Sequence, residues 1–279
     1  MSDDLRLFDF QETAADQIAG AASEWVEYFA QDGPLYFGKT PIPFIGHLKA
    51  VTGAGKTPIL AKIVGDLSPA IILWTSKSSA VADQTYRNLN GKYAHLLPPH
   101  TQVVRERPSR AEWEQLLDAT AGVTIWVTTV GSWNEAEFAQ SEGSESARLN
   151  MHRPQKDWGG DRSPWDQLRS APQRPLWVVY DESHNQTGTQ LEQLIGLRPI
   201  GFLLASATPP TGEQFDNFAE VVKADEQASA IAAHGRYQVP TREVVEHHLL
   251  KHTIVVENFD SDADQLLDAA VSLHREITN

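Results

Sequence analysis

The stretch Ala50-Val51-Thr52-Gly53-Ala54-Gly55-Lys56-Thr57 directly follows an apolar run that begins at Leu48, and it decides the fold. A strand that enters a glycine-rich turn and continues as a helix places successive backbone N–H groups around an anion. In such a loop the lysine reaches the β- and γ-phosphates of a nucleotide, and the threonine hydroxyl is a ligand of Mg²⁺. The helix expected from Thr57 onwards aims its positive dipole end at the same phosphates. The sequence therefore predicts that residues 52–57 bind ATP, with Lys56 assisting catalysis and Thr57 holding Mg²⁺.

One position departs from the strict phosphate-loop pattern, because Ala50 stands where the pattern has glycine. The alternative interpretation is a glycine-rich turn between a strand and a helix that binds no ligand.

Composition limits the classes of function. The chain has 279 residues, of which 41% are hydrophobic and 22% are charged, as in an ordinary globular protein. It has no cysteine, which excludes disulfides and thiolate metal sites. The acidic start of the chain has no signal core, and no apolar run is long enough for a membrane span, so we expect a soluble, cytoplasmic protein. The net charge of −14 excludes a general attraction to nucleic acid, so any such contact must be local or must depend on a partner.

Short apolar strands alternate with helical stretches along most of the chain, which predicts an α/β fold: a parallel sheet with helices on both faces. We expect a helical segment over 1–34, an ATP-binding lobe over 35–210 with a surface insertion at 139–174, and a mostly helical extension over 211–279.

Acidic residues follow the buried strand predicted at 176–180, in the order Asp181-Glu182-Ser183-His184. Carboxylates at the carboxyl end of a parallel strand lie where such sheets bind ligands. Asp181 is suited to hold Mg²⁺, and Glu182 is suited to orient and deprotonate the attacking water. A solvated acidic loop after a core strand is the alternative.

Hydroxyl residues follow the next apolar strand, in the order Ser206-Ala207-Thr208-Pro209. Their side chains are suited to bond the acidic motif and to link the nucleotide site with the rest of the domain. A simple turn at the strand exit also favours these residue types.

Taken in this order, the three motifs resemble those of the superfamily-two helicases and translocases. The glycine-rich loop resembles motif I, Asp181–His184 resembles motif II of the DExH type, and Ser206–Thr208 resembles motif III. The likeness covers the N-terminal RecA-like lobe and implies Mg²⁺-dependent ATP hydrolysis coupled to movement on DNA. It also implies that His184, Ser206 and Thr208 couple the two processes; a residue that merely caps the turn is the alternative for His184.

Three shorter stretches extend the resemblance. Phe10-Gln11, about 40 residues before the loop, is similar to the Q motif, which implies that Gln11 reads adenine; an exposed polar residue in the first helical turn is the alternative. The stretches around 74–85 and 127–130 look like motifs Ia and Ib, which implies that Lys77, Gln84 and Thr128 contact nucleic acid. A solvated loop and helix face is the alternative for these three.

The stretches Trp177–Thr187 and Val130–Asn134 look most like the Res subunit of type III restriction enzymes and its relatives in bacterial defence. A complete helicase has a second RecA-like lobe with arginines that stabilise the transferred phosphoryl group, and no such motif is recognisable after Pro210. We therefore expect one lobe with weak DNA affinity of its own, completed by a second lobe in the same longer chain or in a separate protein. A non-catalytic ATP-binding module of a larger complex is the alternative, and the strand exit at Ser206 disfavours a phosphate-loop kinase.

Overall fold

The computed structural model describes residues 6–106, 108–118, 122–132, 151–154, 161–170, 174–181, 193–206 and 212–249. The helices are α1 (Asp9–Asp32), α2 (Lys56–Asp66), α3 (Ser79–Asn90), α4 (Arg110–Leu117), α5 (Pro164–Ser170), α6 (Glu213–Lys223), α7 (Glu226–His234) and α8 (Thr241–Glu246). The strands are β1 (Tyr36–Phe37), β2 (Thr40–Pro41), β3 (Phe44–Lys49), β4 (Ala70–Ser76), β5 (Gln102–Arg105), β6 (Val123–Thr129), β7 (Leu176–Asp181), β8 (Gly201–Ser206) and β9 (Arg236–Gln238). In these ranges no helix has the length and apolar character that crossing a membrane requires.

Seven strands form one parallel sheet in the order β5-β6-β4-β7-β8-β3-β9, while β1 and β2 form a separate antiparallel pair. Every residue of β4, β7 and β8 is buried, as expected for strands that are covered on both faces. Along the strand order, the connections that contain α2 and α3 run in one direction and those that contain α4 and α5 run in the other, so the right-handed crossover rule assigns the two pairs to opposite faces of the sheet. The predicted α/β fold is thus confirmed.

Tryptophan side chains fill much of the core, and five of the six within the described ranges are fully buried: Trp25, Trp74, Trp113, Trp126 and Trp177. The ring of Trp177 on β7 lies over Gly201, its partner in β8. A Cβ atom at position 201 would lie 2.2 Å from this ring, so the glycine is required by the tryptophan beside it.

The described part of the C-terminal extension, residues 212–249, packs on the lobe. Strand β9 pairs in parallel with β3, and the Gln17 amide of α1 donates to the carbonyl oxygens of His234 and Arg236 at 2.9 and 3.1 Å. The Tyr28 hydroxyl donates to Asp225 at 3.0 Å, and burial together with this carboxylate raises the pKa of Tyr28. Helix α1 also packs against α2, α7, β3 and β9, so the first helix and part of the C-terminal extension lie at the same edge of the sheet.

Two described pieces of the insertion expected at 139–174 pack against the core. Met151 and Leu168 are buried, and the indole N–H of Trp113 donates to the Gln167 side chain at 2.7 Å. A stretch with few aliphatic residues therefore still contributes to the core, because single large side chains such as Met151 and Leu168 are buried there.

Arg174 joins three strands at the amino edge of the sheet, opposite the edge that carries the motifs. Its guanidinium is buried and donates to the carbonyl oxygens of Ala70 and Gly122 at 3.1 and 2.9 Å, and to the Thr124 hydroxyl at 3.2 Å. Burial lowers the pKa of Arg174 from its ordinary value. The three acceptors lie at the starts of β4 and β6, so one side chain ties the start of β7 to the starts of these two strands.

Candidate nucleotide-binding site

The sheet order brings the three motifs together at one edge. Strand β8 lies between β3 and β7, and the register pairs Lys49 with Ser206 and Ala205 with Asp181. Because all three strands are parallel, the loop after β3 and the last residues of β7 and β8 emerge side by side at the carboxyl edge, where sheets of this kind bind ligands.

Two glycines shape the loop between β3 and α2. Gly53 and Gly55 have φ angles of +91° and +82°, which side chains rarely adopt. At position 55 a Cβ atom would also lie 2.3 Å from the amide nitrogen of Gln11. Gly55 is therefore required both by its own backbone conformation and by the side chain against it.

Two motifs that are 124 residues apart meet in a direct hydrogen bond. The Thr57 hydroxyl in the first turn of α2 donates to Oδ2 of Asp181 at 2.7 Å. Asp181 is the last residue of β7 and is only 6% exposed, and Lys56, the residue before Thr57, is 8% exposed. A buried lysine thus precedes the threonine whose hydroxyl donates to a buried carboxylate, and all three residues line one cavity.

This donor set fits Mg²⁺. The ion prefers oxygen ligands in octahedral geometry, in which neighbouring ligand oxygens lie about 2.9 Å apart. The Thr57 and Asp181 oxygens are already close to that separation. Thr57 and Asp181 are therefore the residues that would hold the ion, which would supply positive charge between the phosphates of a nucleotide.

A cavity of about 370 Å³ opens beside this pair. The loop and the first turn of α2 form one side of it, and Asp181 also lines it. Helix α3 forms another wall with four residues, Val81, Gln84, Thr85 and Asn88. Among the described lining residues, Lys56 and Asp181 are the charged ones. A polar cavity with a buried lysine beside a glycine-rich loop is suited to a phosphorylated ligand.

Gln11 is buried, so the alternative of an exposed polar residue at this position is wrong. Its amide nitrogen donates to the Ala54 carbonyl at 2.9 Å, and its amide oxygen accepts from the Phe8 backbone N–H at 3.0 Å. The side chain thus closes the first turn of α1 and holds the middle of the glycine-rich loop. Adenine recognition by Gln11 stays a prediction, for which the amide retains one further N–H and one further lone pair.

His47 is a functional candidate that sequence reasoning missed. It lies on β3, is buried, and its Nε2 shares a hydrogen bond of 3.1 Å with the hydroxyl of Ser206. Its backbone N–H donates to the carbonyl oxygen of Gly235, immediately before β9. His47 therefore connects the strand that leads into the glycine-rich loop with the end of β8 and with the sheet edge. The available signal was a histidine directly before the apolar run that begins at Leu48.

A second histidine links the C-terminal extension to the start of α1. The ring of His247 lies 4.3 Å from the ring of Phe8 and 5.6 Å from that of Phe10, measured between centroids. Phe8 also donates its backbone N–H to Gln11, the residue that binds the loop. The extension therefore packs against a residue that helps to position Gln11. No local pattern in the sequence indicates this contact.

The other residues predicted for catalysis, coupling or nucleic-acid contact differ in their exposure, and three of them lie outside the described ranges. Glu182, His184 and Thr208 lie outside the described residues. Lys77 is exposed just beyond β4, whereas Thr128 is fully buried within β6 and so presents no side chain to a nucleic acid in this structure. Gln84 is exposed and faces the cavity beside the glycine-rich loop.

Comparison with known proteins finds similarity among solved structures. No family model and no curated protein matches the sequence. Among solved structures, the chain is similar to a nuclease-deletion mutant of the Type ISP restriction-modification enzyme LlaGI in complex with a DNA substrate mimic, with a TM-score of 0.46 and 15% identity. The match covers 87% of this chain and 18% of that one, so the chain spans less than a fifth of the length of the enzyme.

The bond between His47 and Ser206 predicts energetic coupling of the two side chains. We expect His47→Leu and Ser206→Ala each to lower the free energy of unfolding by about 1–3 kcal/mol, because each removes the hydrogen bond between two buried side chains. The double variant should lose about 1 kcal/mol less free energy of unfolding than the sum of the two single losses. Urea denaturation measures all three values. The control combines His47→Leu with Ser109→Ala at the N-cap of α4. In that pair the two losses in free energy of unfolding should add. Additivity for His47 and Ser206 would contradict the coupling.

Proposed function

We propose that this chain is the ATP-binding lobe of a DNA helicase or translocase of the restriction or phage-defence type. In the complete enzyme, Mg²⁺-dependent ATP hydrolysis drives movement on DNA, and a second RecA-like lobe completes the site. The observation that carries the proposal is the hydrogen bond from Thr57 to Asp181 beside the buried Lys56.

The chemistry follows from the positions of these groups. Lys56 and the backbone N–H groups of the loop supply positive charge to the β- and γ-phosphates. Thr57 and Asp181 supply the oxygen ligands that Mg²⁺ prefers. Glu182, the next residue after Asp181, is the general base for the attacking water. Together these residues perform phosphoryl transfer to water, a reaction in which catalysis consists mainly of positioning and charge stabilisation.

The helicase assignment rests on the order of the motifs and on their meeting at one sheet edge. The loop follows β3, the acidic motif follows β7 and Ser206 ends β8, and these three strands are neighbours. The restriction or defence assignment rests on the likeness of Trp177–Thr187 and Val130–Asn134 to the Res subunit of type III enzymes. With a net charge of −14, the lobe needs a local basic contact or a partner to hold DNA.

Replacing Lys56 tests nucleotide binding. We expect Lys56→Ala to weaken ATP·Mg²⁺ binding by about 10- to 150-fold, because it removes a charge-assisted contact worth roughly 1.5–3 kcal/mol. Isothermal titration calorimetry gives the two dissociation constants. Lys62→Ala is the matched control, since Lys62 lies on the same helix, is paired with Asp66 and does not line the cavity. Equal ATP affinity of Lys56→Ala and the wild type would refute the phosphate-loop assignment.

Replacing Glu182 tests whether the site is catalytic. Glu182→Gln keeps the shape of the side chain but removes the base, so we expect unchanged ATP affinity and loss of ATP turnover. Turnover is measured by phosphate release with and without DNA. An unchanged rate in the variant would show that another group is the base. Wild-type chain that binds ATP but releases no phosphate, even with DNA and a second lobe, would identify the non-catalytic ATP-binding module instead.

A further inference from the structure

Helix α3 presents one face to the nucleotide cavity. Val81, Gln84, Thr85 and Asn88 line it, and their spacing of three to four residues puts them on the same side of the helix. Gly53, Lys56, Thr57 and Asp181 line the same cavity. A ligand whose terminal phosphate reaches past Lys56 and Thr57 therefore meets this face of α3.

Two amide side chains on this face are available to a ligand. Gln84 is exposed and Asn88 is half-buried, and neither side chain makes a hydrogen bond within the described part of the chain. Two polar side chains elsewhere on α3 are engaged: Asp83 accepts from Arg105 at 2.8 Å, and Asn90 donates to the Tyr86 carbonyl at 3.0 Å. The amides of α3 that make no hydrogen bond to the described residues are therefore the two that face the cavity.

Amides suit the end of a triphosphate. Their N–H groups donate to phosphate oxygens, and their carbonyl oxygen accepts from a water molecule. They carry no net charge, so they leave the balance between Lys56 and Asp181 unchanged. A diphosphate bound in the same loop lacks the terminal group that reaches this wall, so it would make fewer contacts with α3.

We propose that Gln84 and Asn88 contact the terminal phosphate of the bound nucleoside triphosphate, and that α3 thereby distinguishes triphosphate from diphosphate. The inference rests on the proposed binding of nucleotide at the glycine-rich loop. It assigns Gln84 to the nucleotide, whereas the resemblance of its sequence stretch to motif Ia implies a contact with nucleic acid.

The test compares the affinity of the full chain for a non-hydrolysable ATP analogue and for ADP, both with Mg²⁺, by isothermal titration calorimetry. We expect Gln84→Ala and Asn88→Ala each to weaken binding of the analogue by about 10-fold or more, the value of a hydrogen bond to a charged group, and to change ADP affinity less than about twofold. Gln84→Glu keeps the size of the side chain and should weaken analogue binding further, because a carboxylate repels the phosphate. Asn90→Ala, the same substitution on the same helix but outside the cavity, is the control and should leave both affinities unchanged.

The outcomes separate this inference from the proposed function. If the Gln84 and Asn88 variants bind the analogue as the wild type does, while Lys56→Ala does not, α3 makes no phosphate contact and the inference is wrong. An equal loss for analogue and ADP would also overturn it, because the contact would not involve the terminal phosphate. A Gln84→Ala variant that loses only affinity for labelled single-stranded DNA would favour the contact with nucleic acid. If the wild type binds neither nucleotide, both the proposed function and the proposed phosphate contact of α3 are wrong.

Discussion

The hydrogen bond between Thr57 and Asp181 depends on the whole sheet being assembled correctly. Thr57 follows β3 and Asp181 ends β7, and β8 lies between them, so a hydroxyl and a carboxylate that are 124 residues apart meet at 2.7 Å only in this strand order. The buried strands and the fitting of Trp177 over Gly201 stabilise that order. Arg174 reinforces it from the opposite edge of the sheet. Packing far from the site thus determines the geometry of a pair of small polar groups.

The glycine-rich loop is supported by residues that are far from it in the sequence. Gln11 holds the Ala54 carbonyl, and the ring of His247 packs on Phe8, whose backbone N–H donates to Gln11. On the strand that leads into the loop, His47 binds Ser206. The first helix therefore contacts the loop directly, whereas the C-terminal extension and the end of β8 contact residues that adjoin it.

Much of the fold and the centre of the site could be predicted from sequence, because the signals are local. Eight consecutive residues define the loop, and Asp181 directly follows an apolar run, so its position at a strand end can be read from neighbours in the chain. The bonds of Gln11 to Ala54 and of His47 to Ser206 span 43 and 159 residues, and no local pattern records such pairings. Strand β9 was missed for a related reason, because three residues with exposed and half-buried side chains carry little strand signal. The side of α3 that Gln84 occupies likewise depends on how the helix packs, which residue spacing alone does not determine.

Anomalous diffraction from crystals grown with Mn²⁺ and a non-hydrolysable ATP analogue is the most direct test of the central claim, that the loop and the end of β7 form one metal–phosphate site. The account predicts one manganese ion between the β- and γ-phosphates, bound by the Thr57 hydroxyl, with the Asp181 carboxylate in contact with the ion or with one of its waters. Nucleotide and metal bound elsewhere, or a cavity that stays free of both at saturating concentrations, would contradict it.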